Sequence, residues 1–297
     1  MPTESKTSFV IATRDRSEEL CSVLWRLIES TPCPIVLVDN DSRDDSVRAA
    51  TAIAAASGGR VEVVALDRNE GAVARNVGVA RCGTAYVAFC DDDSWWDPGA
   101  ISLAEDFFER YPSVALLAAR TVMLPQRRED PFATELADSP LGHNPALPGP
   151  SILGFQSCSA IVRKSAFESV GGFSPILHFR GEEGLLAWDL AADGWDLCFC
   201  GALVAYHQPS VTRSPSSVQR ARVLRNELLS ACLRRPVDRC GRAAAALAWA
   251  AARDAAHAKA LLEAVAALPA AVRARRRLPA SVERSLRLLE SPHRGNV

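Results

Sequence analysis

The stretch Phe89-Cys90-Asp91-Asp92-Asp93-Ser94-Trp95-Trp96-Asp97-Pro98 ends a short apolar run, Tyr86 to Cys90, in three consecutive acids. The run reads as a buried strand. Asp97 followed by Pro98 predicts an N-cap and the first residue of a helix that reaches about Arg110. Three adjacent carboxylates at a strand end repel one another. A divalent cation bound through hard oxygen ligands relieves that repulsion and is commonly shared with a phosphate group. A solvated acidic turn is the bland alternative, and the neighbouring segments decide between the two.

Upstream, the same pattern occurs three times. Phe9 to Ala12 is an apolar run that meets Thr13-Arg14-Asp15-Arg16 and then a segment with Leu20, Val23, Leu24 and Leu27 on one helical face. Ile35 to Val38 stops at Asp39-Asn40-Asp41-Ser42, and a helix follows from about Asp45 to Ala56, halted by Gly58-Gly59. Val61 to Leu66 meets Asp67-Arg68-Asn69-Glu70-Gly71 and a helix to Arg81. Strands alternating with helices predict an α/β fold with a mostly parallel sheet covered on both faces. Ligands of such sheets lie beyond the carboxyl ends of the strands, where all four polar loops gather.

With 297 residues, 48% of them hydrophobic, the chain can build a large core with an appendage. Its net charge of -1 is unevenly spread. Residues 1–212 carry 17 Lys/Arg against 29 Asp/Glu, and residues 213–297 carry 17 against 6. We therefore read 1–212 as an acidic body that suits a metal-using site and 213–297 as a basic helical extension packing on it. Arg234-Arg235 and the cluster Arg273, Arg275, Arg276 and Arg277 also suit peripheral contact with an anionic membrane. Nine cysteines without Cys-x-x-Cys spacing read as reduced thiols, several of them in the core. Met1 to Lys6 carries no apolar signal, and charges interrupt the Ala-rich run 243–272, so no bilayer span is expected there. The expected location is cytoplasmic, at most peripheral at the inner face of a membrane, with no nucleic-acid partner.

Beyond Val114 to Ala118, a further strand, residues 124–150 lack periodicity, and Asp138 to Gln156 is a candidate closing loop. Ser159 to Arg163, Gly171-Gly172-Phe173 and a helix opened by Gly181-Glu182-Glu183 follow. Leu197 to Phe199 and Leu203 to Ala205 read as two short strands before Tyr206-His207.

Taken in order, Asp39-Asn40-x-Ser42, Asn69-x-Gly71-x3-Arg75-Asn76-x-Gly78, Asp91-x-Asp93, Gly171-Gly172-Phe173 and Gly181-Glu182-Glu183 resemble the family 2 nucleotide-sugar glycosyltransferases over about residues 7–210. The resemblance implies the GT-A fold, a Rossmann-like sheet flanked by helices, here with an α-helical C-terminal extension. It implies a metal-dependent, inverting transfer of a sugar from a nucleotide-diphosphate donor to a hydroxyl acceptor, with Mn2+ or Mg2+. Thr13, Arg14 and Asp39 would then hold base and ribose. Asn69 and Gly71 would admit the nucleotide closely, and Arg75 would reach a phosphate or the base. Asp93, Asp91 and His207 would ligate the metal, with Asp91 also near the ribose. Asp92 is carried in the donor-binding set, although side-chain alternation turns it the other way from its neighbours. Glu183 would take the acceptor's proton. The relatives have Glu-Asp at this pair, so Glu183 reaches one methylene further. Glu182 and Trp95 are acceptor-side candidates, whereas Trp188 reads as packing.

Each residue also has a plain reading. Asp39, Glu182 and Glu183 suit helix N-termini, His207 suits a strand end, and Arg75 suits a solvated helix face. Two rival functions stand beside the transferase: a nucleotidyltransferase, whose early Gly-rich basic loop is missing here, and a non-catalytic nucleotide-binding protein on the same fold.

Overall fold

The computed structural model describes residues 5–210 and 216–291. Its first half is β1 (Thr7–Thr13), α1 (Ser17–Ser30), β2 (Ile35–Asp39), α2 (Ser46–Ala56), β3 (Val61–Ala65), α3 (Ala74–Arg81) and β4 (Tyr86–Cys90). These four strands are parallel, in the spatial order β3-β2-β1-β4. Alternation along β1 splits its side chains between two cores: Phe9 and Ile11 pack beneath α1 and Val10 packs on the opposite face. The carboxyl ends of the strands fall in line, since Thr13 is in register with Asp39 and Ile11 with Cys90.

The chain continues through β5 (Ser94–Trp96), α4 (Ala100–Arg110), β6 (Val114–Met123), β7 (Arg128–Glu129), α5 (Pro131–Ala137), β8 (Ala160–Arg163), α6 (Lys164–Ser169), α7 (Glu182–Ala192) and β9 (Asp196–His207). The sheet extends from β4 as β8-β6-β9-β5, with β7 on β6, and β8 runs antiparallel to both its neighbours. Three expectations are corrected here. The helix after the acid triplet begins at Ala100, because Asp97 first turns the chain: its backbone pairs with Val204, and its carboxylate accepts from Gly99 N–H at 3.2 Å. Leu197 to Ala205 forms one strand whose register shifts opposite Ala119 and Arg120, so a bulge takes the place of the expected break. The aperiodic segment holds a short helix, α5, capped by Asp130 with Pro131 in its first turn, and its end is tied to β9 through Ile152 N–H to Leu197 O at 3.0 Å.

Helices α8 (Ser216–Arg234), α9 (Val237–Ala251), α10 (Ala255–Arg273) and α11 (Ala280–Leu289) form the C-terminal extension. The expected boundary at 212/213 lies outside the described residues. Leu229, Leu233 and Ala271 of the extension bury Leu177 and Leu185 of the body. Arg234 forms a bidentate pair with Asp189 of α7, and Arg235 pairs with Glu283 of α11 and with Glu290 just after it. These two arginines join helices to each other and do not form a surface patch. By length and composition α10 is apolar enough to cross a membrane, although 22% of its apolar window is buried in the protein.

One contact of the extension bears on the body. Three backbone angles just before α7 are left-handed: His178 (φ 64°), Arg180 (φ 78°) and Gly181 (φ 80°). The first two are costly for side-chain-bearing residues. The buried Asn226 of α8 holds this turn by donating its amide to the carbonyls of Leu177 at 3.0 Å, Phe179 at 2.8 Å and Arg180. Asn226→Ala should lower the free energy of unfolding in urea by about 1–3 kcal/mol, the cost of leaving buried acceptors unpaired.

Candidate active site

The rim at the carboxyl ends of β1, β2 and β4 carries most of the expected residues. Thr13 is buried at the end of β1 and donates its hydroxyl to Asp92 Oδ2 at 2.8 Å, which links the first strand to the acid triplet. Asp39, 1% exposed, accepts Ser42 N–H on Oδ2 at 2.9 Å, so its carboxylate shapes the loop and does not cap α2. Its Oδ1 is buried and has no hydrogen-bond partner among the described residues. Arg14 lies half-buried between Asp15 and Asp41, 3.5 and 3.6 Å away.

The three acids diverge. Asp91 turns to the guanidinium of Arg75. Asp92 turns to Thr13, toward the first strand's loop and in a direction different from both its neighbours. Burial and the neighbouring Asp91 charge push its carboxyl up to about 7, against the Thr13 hydrogen bond. Asp93 turns to His207, with Oδ1 and Nε2 3.2 Å apart, and its Oδ2 accepts Ser210 N–H at 3.2 Å. Burial acts to raise the Asp93 carboxyl. His207 and the Ser210 N–H outweigh it and hold Asp93 below the ordinary range.

A divalent ion fits only part of the expected set. Among the described residues no group of three or more His, Cys, Asp or Glu is arranged around one point. Asp93 and His207 are together, while Asp91 turns one oxygen to Arg75. An acid and an imidazole cannot cage an ion, but hard cations at phosphate sites are commonly held by one or two protein ligands and completed by substrate oxygens. The residues present fit that mode.

Arg75 is where expectation and structure differ most. It is 6% exposed and so lies on no solvated helix face. Burial opposes its charge, yet the carboxylates of Asp91, Glu182 and Glu183 together more than offset that. Arg75 thus joins the end of β4 to the first turn of α7. Glu183 is half-buried there, and its Oε1 accepts the Ser157 hydroxyl at 3.2 Å. Burial raises its pKa, against its own backbone N–H and Arg75. Glu182 is 2% exposed, with Oε2 unpartnered among the described residues. Burial, then the Glu183 charge, pushes it up to about 8.

That shift has a sign. An unfolded chain releases the Glu182 proton near the ordinary 4.5, while the folded one keeps it to about 8. Stability therefore falls as pH rises between those values and levels off above them. Glu182→Gln should flatten this slope, so thermal unfolding scans at pH 5 and pH 8 should differ less in the variant than in the wild type.

Asn69 and Gly71 turn inward. Asn69 Oδ1 accepts Gly71 N–H at 2.9 Å, and Ala72 N–H meets His178 O at 2.6 Å. Gly71 has φ 62°, and a Cβ there would sit 2.1 Å from the His178 carbonyl oxygen. Close approach is required here by the turn before α7. Trp95 is partly buried, with Arg26 of α1 4.4 Å above its ring and Tyr206 beside it. Trp188 packs between the body and the extension, near Arg235.

Four residues of the site carry hydrogen bonds that no motif assigned. Asn40 bridges Glu70 N–H and Gly71 O at 2.7 and 3.0 Å, and its place beside Asp39 is the one available signal. Ser157, Ser210 and Asn226 lie in aperiodic or tail sequence with no local signature. Asn76 is the opposite case. Its amide both donates to Phe173 O and accepts Phe173 N–H at 2.9 Å, tying two sequence motifs together, and Gly172 (φ 67°) leaves the room for it.

This architecture has known counterparts. A mannosyltransferase from Pyrobaculum calidifontis, in complex with GDP-Man and Mn2+, superposes with a TM-score of 0.61 at 18% identity, over 96% of this chain and 79% of that one. S. aureus TarS 1-349, in complex with UDP-GlcNAc, gives 0.58 at 14% identity, over 95% and 91%. The shared fold is GT-A with C-terminal helices. A pre-mycofactocin glycosyltransferase of Mycobacterium tuberculosis is 35% identical over 140 residues, which are 45% of this chain and 29% of that protein. The chain thus spans less than a third of that relative's length. The sequence model of glycosyl transferase family 2 matches residues 8–171, more than half of the chain, which belongs to that family.

Proposed function

We propose that the chain transfers a sugar from a nucleotide-diphosphate donor to a hydroxyl acceptor, with a divalent metal and with inversion at the anomeric carbon. One observation carries the reading: Arg75 pairs with Asp91, the first acid after β4, and feels the charge of the Glu182-Glu183 pair of α7, at the rim that also carries the buried, unpartnered Asp39 Oδ1. Asp39 accepts a hydrogen bond from a base N–H or a ribose hydroxyl, which satisfies an oxygen otherwise costly to bury. Asp93 and His207 would hold Mn2+ or Mg2+, which offsets the charge of the departing diphosphate. Glu183 removes the acceptor hydroxyl's proton as that oxygen attacks the anomeric carbon. The bond from that carbon to the phosphate oxygen breaks, and its electron pair leaves with the diphosphate. A single displacement from the opposite face inverts the centre. The raised pKa of Glu183 suits it to hold a proton nearer neutrality than an ordinary carboxylate would.

Asp93→Asn tests the metal arm. Calorimetric titration of UDP- and GDP-sugars should show Mn2+-dependent binding to the wild type and at least about 100-fold weaker metal-dependent binding to the variant, since even outer partners of metal ligands are worth 10–100-fold. Donor binding that ignores Mn2+ in both proteins would remove the metal from the reading. No donor binding at all would remove the transferase.

A further inference from the structure

Away from the rim, the C-terminal helices enclose a second concavity. It measures about 640 Å³ and lies between α8, α9, the start of α10 and the turn before α7. That volume is within the range of about 300–1,000 Å³ typical of small-molecule sites. Its floor is apolar: Val223 and Leu224 of α8 face Trp249 and Ala250 of α9. Val223 is 40% and Trp249 64% exposed, so apolar surface is left open to water.

The rim of this groove carries Arg180, Arg220 and Arg253. Several arginines of the extension are neutralised: Arg225 faces Glu263, Arg234 takes Asp189, Arg235 takes Glu283 and Glu290, and Arg239 also reaches Glu290. None of the three groove arginines forms an ion pair among the described residues. Arg180 donates to Gln219 Oε1 at 3.0 Å, and Arg253 lies 3.7 Å over the Trp249 ring. The one acid in the lining, Asp254, is occupied by capping α10 and by His257 Nδ1 at 2.9 Å. Three guanidinium groups against one engaged carboxylate leave the groove about two charges positive.

We propose that this groove binds an amphiphilic phosphate, an apolar chain or ring on Val223, Leu224 and Trp249 with a phosphate monoester among Arg180, Arg220 and Arg253. The charge selects the head group. A phosphate monoester carries about -1.5 to -2 at neutral pH, which matches the groove more closely than a carboxylate's single charge. Guanidinium groups also fit phosphate oxygens two at a time. The site is separate from the donor rim and stands whether or not the transfer reading holds. It still touches the catalytic half, because Arg180 lies two residues before Glu182, and α8 carries both the groove wall and the Asn226 clamp.

The test uses the full chain and decyl phosphate below its micelle-forming concentration, followed by tryptophan fluorescence and calorimetry. Saturable binding at one site is expected, at least tenfold tighter than for decyl maltoside or inorganic phosphate. The double variant Arg220→Gln/Arg253→Gln should bind at least tenfold more weakly. The fluorescence change should vanish in Trp249→Phe and persist in Trp25→Phe, which locates the ligand even if the arginine variant folds poorly. Equal affinity for decyl maltoside overturns the proposal, as does a fluorescence change that survives Trp249→Phe. Association only with vesicles containing phosphatidic acid, and not with monomeric decyl phosphate, also overturns it and marks the face as a membrane surface.

Discussion

Glu183→Gln should reduce transfer by about two to four orders of magnitude, the usual contribution of a positioned general base. The amide keeps the size of the side chain and its ability to accept the Ser157 hydroxyl, so the fold and the donor rim should be preserved. What is lost is the capacity to take a proton. Initial rates should therefore fall through kcat, while the donor's Kd by calorimetry stays within about twofold. Glu182→Gln supplies the contrast. Glu182 is buried deeper and points an unpartnered oxygen into the protein, so its loss should leave a larger share of activity. A rate unchanged in Glu183→Gln would exclude it as the base, and a collapse confined to Glu182→Gln would transfer the role.

Arg75→Met should destabilise the protein by about 3–5 kcal/mol, the cost of removing one partner from a buried charge cluster. Methionine replaces most of the volume, so the loss is electrostatic more than steric. Asp91, Glu182 and Glu183 would then face one another with no cation between them. The defect should be smaller near pH 5 than near pH 8, because Glu182 keeps its proton at the lower value and needs no partner there, and urea denaturation at the two values reads it directly. An Arg75→Met protein as stable as the wild type at pH 8 would show that the three acids lie too far apart to share one neutralising group.

The strands and helices of the first half were legible because each burying face repeats at a fixed period. Leu20, Val23, Leu24 and Leu27 fall on the buried side of α1 as their spacing requires. The site was legible where a motif sits at a strand end, as at Asp39 and Asp93, since topology alone sends those ends to one rim. It was not legible where a side chain's partner lies far along the chain. Arg75 on a short helix looks solvated until Asp91 and the start of α7 close over it. Gly71 looks made for a ligand until His178 fills the space. Trp95 looks open beside an acidic loop, but the antiparallel pairing of β5 with β9 turns its ring toward Arg26. The bulge in β9 was hidden for a related reason: an interruption in apolar sequence resembles a strand end unless its neighbour continues through it.

The Asn226 amide also limits how the molecule can be taken apart. A shortened chain ending with the sheet would strip three carbonyls of their shared donor, bare Leu177 and Leu185, and leave Asp189 facing water alone. The turn that aims Glu182 and Glu183 would then depend on its own strained torsions. Anyone trimming this protein for crystals or assays should keep the last four helices attached. Exchanging them for those of another enzyme amounts to re-engineering the start of α7.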